Sequence, residues 1–148
     1  MKPYIHAKSD ARRWGGKPED YLHIHQHMDS TKGLIADNRH RCFTHNSYYI
    51  SANGPLELIF GVNITNSAGR KVSVRDIGEN HILSDFGGKF IPTVQDYLER
   101  MPLADWMNGG KGDPPPSFKI INDTKKTKLR ELVLDGSIKF TKPSELVD

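Results

Sequence analysis

Apolar and polar positions follow a helical period over several stretches of the first hundred residues and alternate in twos around one turn signal, Asn66-Ser67-Ala68-Gly69. Pro18-Glu19-Asp20 opens the clearest helix, with proline in the first turn and two acids at the positive end of the helix dipole. The pattern carries it to about Thr31 and ends it at Gly33. Within it, Tyr21, Ile24 and Met28 form an apolar stripe at 3.6-residue spacing. A second helix is expected from about Leu34 to Ser51, with Ile35, Cys42, Phe43, Tyr49 and Ile50 on one face, broken by Asn53-Gly54-Pro55. Val62-Asn63-Ile64-Thr65 and Val72-Ser73-Val74 flank Asn66-Ser67-Ala68-Gly69, which reads as a β-hairpin near 62–75. A short helix should follow from about Asp76 to Phe86, stopped by Gly87-Gly88. Thr93, with Asp96 three residues on, should cap another through Arg100.

These elements imply a mainly α fold with a small β-hairpin (α+β). Residues 1–107 read as a compact helical domain and 108–116 as a Gly/Pro linker, Asn108-Gly109-Gly110-Lys111-Gly112-Asp113-Pro114-Pro115-Pro116. Residues 117–148 read as a C-terminal extension, with a helix from Thr124 to Leu134, a turn at Asp135-Gly136 and a short run Ser137-Ile138-Lys139-Phe140.

Composition narrows the function classes. The chain has 148 residues, enough to bury a core without staples, and one cysteine, which excludes an internal disulfide and a cysteine-based zinc site. Cys42 lies on the apolar stripe of its expected helix and reads as a buried thiol rather than a nucleophile. No apolar run approaches the roughly 18 residues of a membrane span. The start, Met1-Lys2-Pro3-Tyr4-Ile5-His6, lacks the apolar run of a secretory signal, so a cytoplasmic protein is expected, in a host cytoplasm if phage-encoded. The net charge of +3 is a weak excess that argues against a nucleic-acid partner. The one basic run, Lys125-Lys126-Thr127-Lys128-Leu129-Arg130, reads first as a solvated helix face. The glycine pairs at 15–16, 87–88 and 109–110 are not followed by the Gly-Lys-Ser/Thr of a phosphate loop.

Histidine placement carries the candidate chemistry. Five of the seven histidines fall between His23 and His45. A strand over Tyr21–Met28 would put His23, His25 and His27 on one face. The Pro-Glu-Asp start favours a helix, which places His25, Asp29 and Lys32 beside the apolar stripe and turns His23 and His27 away. On the second helix, Asp37, His40, Arg41 and Thr44 gather opposite the stripe, with His45 at its edge. His81 and Asp85 add an i,i+4 pair from a third segment.

Neutral imidazole and carboxylate together bind Zn, Mn, Fe or Ni, and i,i+4 spacing lets one helix supply two ligands. The candidate ligands are His25, Asp29, His40, His45 and His81. Lys32 and Arg41, with Arg39 nearby, could hold an anion such as phosphate. A divalent-metal domain, extending to a metal-dependent hydrolase of a phosphate-bearing substrate, is one reading. Two others stand beside it. The histidines can form a hydrogen-bond network without metal, and Asp37–Arg41 can be a solvated i,i+4 pair. The chain can also be a non-enzymatic accessory protein whose extension binds a host protein or nucleic acid.

Ala11-Arg12-Arg13-Trp14-Gly15-Gly16-Lys17-Pro18-Glu19-Asp20-Tyr21-Leu22-His23-Ile24-His25, Arg39-His40-Arg41, Ile59-Phe60-Gly61 and Val74-Arg75-Asp76-Ile77-Gly78-Glu79-Asn80-His81 resemble an uncharacterised family of small phage and bacterial proteins. The resemblance covers roughly residues 8–107 and brings no assigned activity. It implies interest in His23, His25, Asp29, Lys32, Asp37, His40, Arg41, His45, Glu57 and His81. Position 27 resembles an aromatic position there, which sets His27 outside any site. The sequence departs from the family pattern by a short insertion around Asn53-Gly54-Pro55, which bears on Glu57.

Overall fold

The computed structural model describes residues 1–117; the extension's expected helix, turn and basic run lie outside the described residues. Two units are distinguished, Met1–Arg100 and a second beginning at Met101. In the second, the described part holds a 3₁₀ turn at Asp105–Met107.

Six α-helices and one hairpin make up the first unit: α1 (Pro3–Trp14), α2 (Glu19–Asp29), α3 (Arg41–Thr44), α4 (Pro55–Phe60), β1 (Asn63–Thr65), β2 (Lys71–Ser73), α5 (Val74–Asp85) and α6 (Val94–Leu98). The architecture is mainly α with a two-stranded antiparallel sheet, Asn63 opposite Ser73 and Thr65 opposite Lys71. Helices α1, α2 and α5 pack against one another, and α4 packs on α5. Their shared interior holds Ala7, Tyr21, Ile24, Met28, Ile50, Leu56, Val74, Ile77 and Ile82. No helix among the described residues is long and apolar enough to cross a membrane.

Several elements form where local chemistry places them. Helix α2 starts at its two acids and gives way at Ser30–Gly33 to a 3₁₀ turn; Tyr21, Ile24 and Met28 are fully buried. Ser73 caps α5 by accepting from Asp76 N. Thr93 and Asp96 form a reciprocal capping box on α6. At the hairpin turn, Asn66 Oδ1 accepts from Ala68 N and Arg70 N, and Gly69 takes φ +82°, a conformation glycine adopts without steric cost.

Other elements depart from the pattern. The single helix expected over 34–51 is broken up. Asp37 accepts from Arg39 N and caps a 3₁₀ turn at Asn38–His40, and α3 ends at Thr44. Asn46 then competes with the helical ladder, donating to Cys42 O at 3.0 Å and accepting from Tyr49 N at 2.8 Å. Around α3 the break reverses the expected faces, while Tyr49 and Ile50 stay on the core side as expected. His40 and Thr44 are buried, whereas Phe43, placed on the apolar stripe, is 39% exposed. Asp37 pairs with Arg39, not Arg41. Cys42 is half-buried, and burial raises its thiol pKa. Trp14 and Tyr49 pack against the core, while Tyr48 is exposed.

Helices α1 and α4 have no counterpart in the sequence pattern. Helix α1 turns His6, Ala7 and Asp10 inward, a face too polar to read as a core stripe.

Candidate metal centre

The interior between α1, α2, α3 and α5 is polar. His6, Asp10, His25, His45 and His81 are fully buried; His40 is 1% and Asp29 7% exposed. The Asp85 side chain is 2% exposed. Each side chain arrives from a different turn: His6 and Asp10 from α1, His25 and Asp29 from α2, His45 from the residue after α3, and His81 and Asp85 from consecutive turns of α5. The i,i+4 spacing on α1, α2 and α5 lets each of these helices present two of them on one face.

Among the described residues, two groups of candidate ligands lie with one atom each within 4.8 Å of the others: His6, His25 and His81, and Asp29, His45, His81 and Asp85. Ring geometry separates them. His6 stacks on His81 with centroids 4.0 Å apart and planes 28° apart, and His25 lies 17° from the plane of His81. Imidazole lone pairs lie in the ring plane, so these near-parallel rings do not aim at a common point. The 2.8 Å separation of His25 Nδ1 and His81 Nδ1 is a direct hydrogen bond.

The second group converges. His81 Nε2 lies 3.0 Å from His45 Nε2, 3.2 Å from Asp29 Oδ1 and 3.4 Å from Asp85 Oδ2. His45 Nε2 lies 3.0 Å from Asp85 Oδ2 and 3.6 Å from Asp29 Oδ1. The His45 and His81 rings meet at 67°. A tetrahedral ion with N and O ligands at about 2.0–2.1 Å has ligand–ligand edges of about 3.3–3.4 Å, the middle of this range.

Outer contacts fix which ring nitrogens face the centre. Thr44 Oγ1 donates to Met28 O at 2.7 Å, so its lone pair accepts from His45 Nδ1 at 2.9 Å and leaves His45 Nε2 bare. Behind His81, His25 Nε2 donates to Asp10 Oδ2 and its Nδ1 meets His81 Nδ1. Asp85 Oδ1 accepts from His6 Nε2 and from the Met1 ammonium, each at 3.2 Å, leaving Oδ2 for the centre.

Electrostatics matches this geometry. Burial lowers the pKa of His25, His45 and His40, with Asp10 opposing at His25 and Asp85 at His45. Burial also disfavours an imidazolium at His81, but the Asp29 and Asp85 carboxylates outweigh it and raise its pKa. For Asp85, burial opposes ionisation, yet the neighbouring His45, His6 and His81 imidazoles hold its carboxyl far below the usual range. Asp29 is lowered likewise, against burial, by His81 and then by Lys32 and His45.

The remaining sequence candidates fall around this centre. His40 is buried and bonded through Nδ1 to Thr31 Oγ1 at 2.8 Å. His40 Nε2, Asp29 Oδ2, Arg41 Nε and His6 Nδ1 are buried without a hydrogen-bond partner among the described residues. Lys32 is exposed. The half-buried Arg41 guanidinium lies 5.4 Å over the Phe86 ring. His23 is exposed against Phe60, and His27 bonds Tyr49 OH at 2.5 Å, both away from the cluster. Glu57 Oε2 accepts from Asn53 N in the turn before α4. Asp37 is exposed. His6 and Asp10 escape sequence reasoning; the signal available was the i,i+4 pairing of a histidine with an aspartate, which recurs in His25/Asp29 and His81/Asp85.

Over residues 1–107 the chain matches the family described as Domain of unknown function (DUF6915), and it belongs to that family. No curated protein and no solved structure matches it.

Proposed function

We propose that this member of a family without an assigned activity binds one divalent metal ion through His45 Nε2, His81 Nε2, Asp29 Oδ1 and Asp85 Oδ2. The observation that carries the reading is the convergence of four acceptor atoms in a buried space, with five of their six separations at 3.0–3.6 Å and all within 4.8 Å. With both imidazoles neutral and protonated on Nδ1, four lone pairs this close repel unless a cation lies among them. Two carboxylates and two neutral imidazoles bring a charge of −2, which a divalent ion cancels, and buried charge is tolerated when compensated. The N₂O₂ set suits Zn, Mn, Fe or Ni. The test is metal analysis of protein purified without a histidine tag, followed by titration with Zn and Mn. One ion per chain, lost in His81→Ala, supports the reading. Sub-stoichiometric metal that His81→Ala leaves unchanged overturns it in favour of a purely structural hydrogen-bond network.

A phosphate-ester hydrolase is the activity this centre fits best. Asp29 is the outermost ligand, its Oδ2 has no partner among the described residues, and Lys32 acts electrostatically on its carboxylate. Arg41 and Lys32 both disfavour a charge on His40. Both cations act on His40, and a phosphoryl group bound between them and Asp29 would find charge complementarity. A bound ion would supply an acidified water and polarise a phosphoryl oxygen. Turnover of p-nitrophenyl phosphate or its diester by metal-loaded protein, reduced in Arg41→Ala with metal content intact, supports hydrolysis. A loaded protein inert towards both leaves a binding centre alone.

A further inference from the structure

Asn80, Asp10 and His25 form a chain behind His81 that reaches no position where they could touch the proposed ion. Asn80 Nδ2 donates to Asp10 Oδ1 at 2.7 Å, and Asp10 Oδ2 accepts from His25 Nε2–H. The members come from α5, α1 and α2, and Asp10 and His25 are fully buried. Asn80 also lines a cavity of about 290 Å³ with Arg13, Trp14, Asp76, Glu79 and Leu83, so the chain runs from that cavity to the centre.

We propose that this chain is a directional relay whose hydrogen-bond polarity decides which nitrogen of His81 carries a lone pair towards the metal centre. The proposal rests on the metal reading above. Its logic is donor–acceptor parity. Asn80 supplies N–H, so Asp10 accepts on one oxygen and accepts again from His25 Nε2–H on the other. With its only proton on Nε2, neutral His25 offers a bare Nδ1, which accepts from His81 Nδ1–H. His81 Nε2 is then free to ligate. Asp10 and His25 are positioning residues, as are the outer partners that orient metal-ligating histidines in general.

The parity makes an isosteric substitution disruptive in a predictable sense. In Asp10→Asn, Asn80 still donates to position 10 and so holds the new amide with its oxygen towards Asn80 and its NH₂ towards His25. His25 Nε2 must then accept, its proton moves to Nδ1, and His81 Nδ1 must accept in turn. His81 is left with its proton on Nε2, pointing into the centre. Adding Asn80→Asp reverses the first link. The amide NH₂ at position 10 then donates to the new carboxylate at position 80, the amide oxygen at position 10 accepts from His25 Nε2–H, and the original polarity returns.

The experiment is nitrogen-15 NMR of the His25 and His81 tautomers in metal-free full-length protein, with Zn affinity measured on the same samples. Wild type should show His25 protonated on Nε2, Asp10→Asn on Nδ1, and Asp10→Asn/Asn80→Asp on Nε2 again. Zn affinity should fall about ten- to hundredfold in the single variant and recover in the double. If the single variant does not fold, the double decides. His25 Nε2–H with wild-type affinity supports the relay, and Nδ1–H overturns it. Equal tautomers in wild type and Asp10→Asn also overturn it. Tautomers that switch as described in a protein that binds no Zn keep the relay and sink the metal reading alone.

Discussion

His45 Nε2 and Asp85 Oδ2 lie 3.0 Å apart across 40 residues of chain, and a neutral His45 that donates through Nδ1 leaves neither atom a proton to offer. The other His45 nitrogen is committed to Thr44, and the other Asp85 oxygen to His6. A pair held this way gains most from a cation placed between its members. His45→Ala and Asp85→Asn should each abolish stoichiometric metal binding. With free Zn a hundredfold above its Kd, the wild-type chain should gain about 2.7 kcal/mol. For a domain of about 100 residues that is a rise in Tm of roughly 10–20 °C. A differential scan with and without Zn reads it directly; an equal rise in the His45→Ala chain would count against these ligands.

The metal-free protein should have a stability maximum near the ordinary histidine pKa. His81 has a raised folded pKa, so its contribution is fully present below about 6.5 and is lost as the pH rises through the folded value. His25, His40 and His45 have lowered folded pKa values, so the unfolded chain takes up their protons first and stability falls as the pH drops below about 6.5. Asp29 and Asp85, also lowered, add stability above about 3.9 that is lost on further acidification. Zn takes the place of the His81 Nε2 proton, so the metal-bound protein should lose the decline on the alkaline side. Urea midpoints measured across pH with chelator and with Zn should diverge above neutrality; parallel curves would refute the proton exchange.

Gly78 is buried in α5 one turn before His81. A Cβ there would meet Ile50 Cγ2 and Leu56 Cδ2, both at 2.7 Å. Gly78→Ala should therefore destabilise by about 1–2 kcal/mol, the cost of overpacking exceeding the helix propensity gained. Because α5 carries two proposed ligands, Zn affinity should weaken as well. Chemical denaturation gives the first quantity and titration the second; a stabilised Gly78→Ala chain would mean that α4 and α5 do not pack this closely.

Tyr21 joins the turn after α1 to the hairpin. Its hydroxyl donates to Gly15 O at 2.8 Å and accepts from Asn66 Nδ2 at 3.0 Å. Tyr21→Phe keeps the buried ring and removes both bonds, which should cost about 1–3 kcal/mol. Metal affinity should stay unchanged, since the centre lies among other residues. A loss of metal binding in a folded Tyr21→Phe chain would show that the hairpin turn and the centre are coupled.

Sequence patterning located the helix that carries His25 and Asp29, through its Pro-Glu-Asp start and apolar stripe, and the one that carries His81 and Asp85, through its Gly87-Gly88 stop. It also removed His23 and His27 from the cluster, where the structure keeps them apart. It misread the segment 34–51. There the Asp37 side chain starts a separate 3₁₀ turn and Asn46 bonds to nearby backbone just past α3, so the helix that the hydrophobic pattern would continue is interrupted. It passed over α1 because the buried face of that helix is built from His6 and Asp10. Polar residues read as solvated unless something elsewhere in the chain pairs with them.

The sequence by itself determined the mainly helical class, the hairpin, the capped start of α6, and a supply of His–Asp pairs at one-turn spacing. These are local properties, set by propensity, capping and period within a dozen residues. Tertiary structure alone decided which pairs meet. The approach of α1 and α5 to α2 places Asp10 behind His25 and His25 behind His81. The break after α3 swings His45 towards Asp85. Whether an imidazole nitrogen is a ligand or a link in a relay depends on what its other nitrogen touches, and that partner lies 15 to 56 residues away for His25.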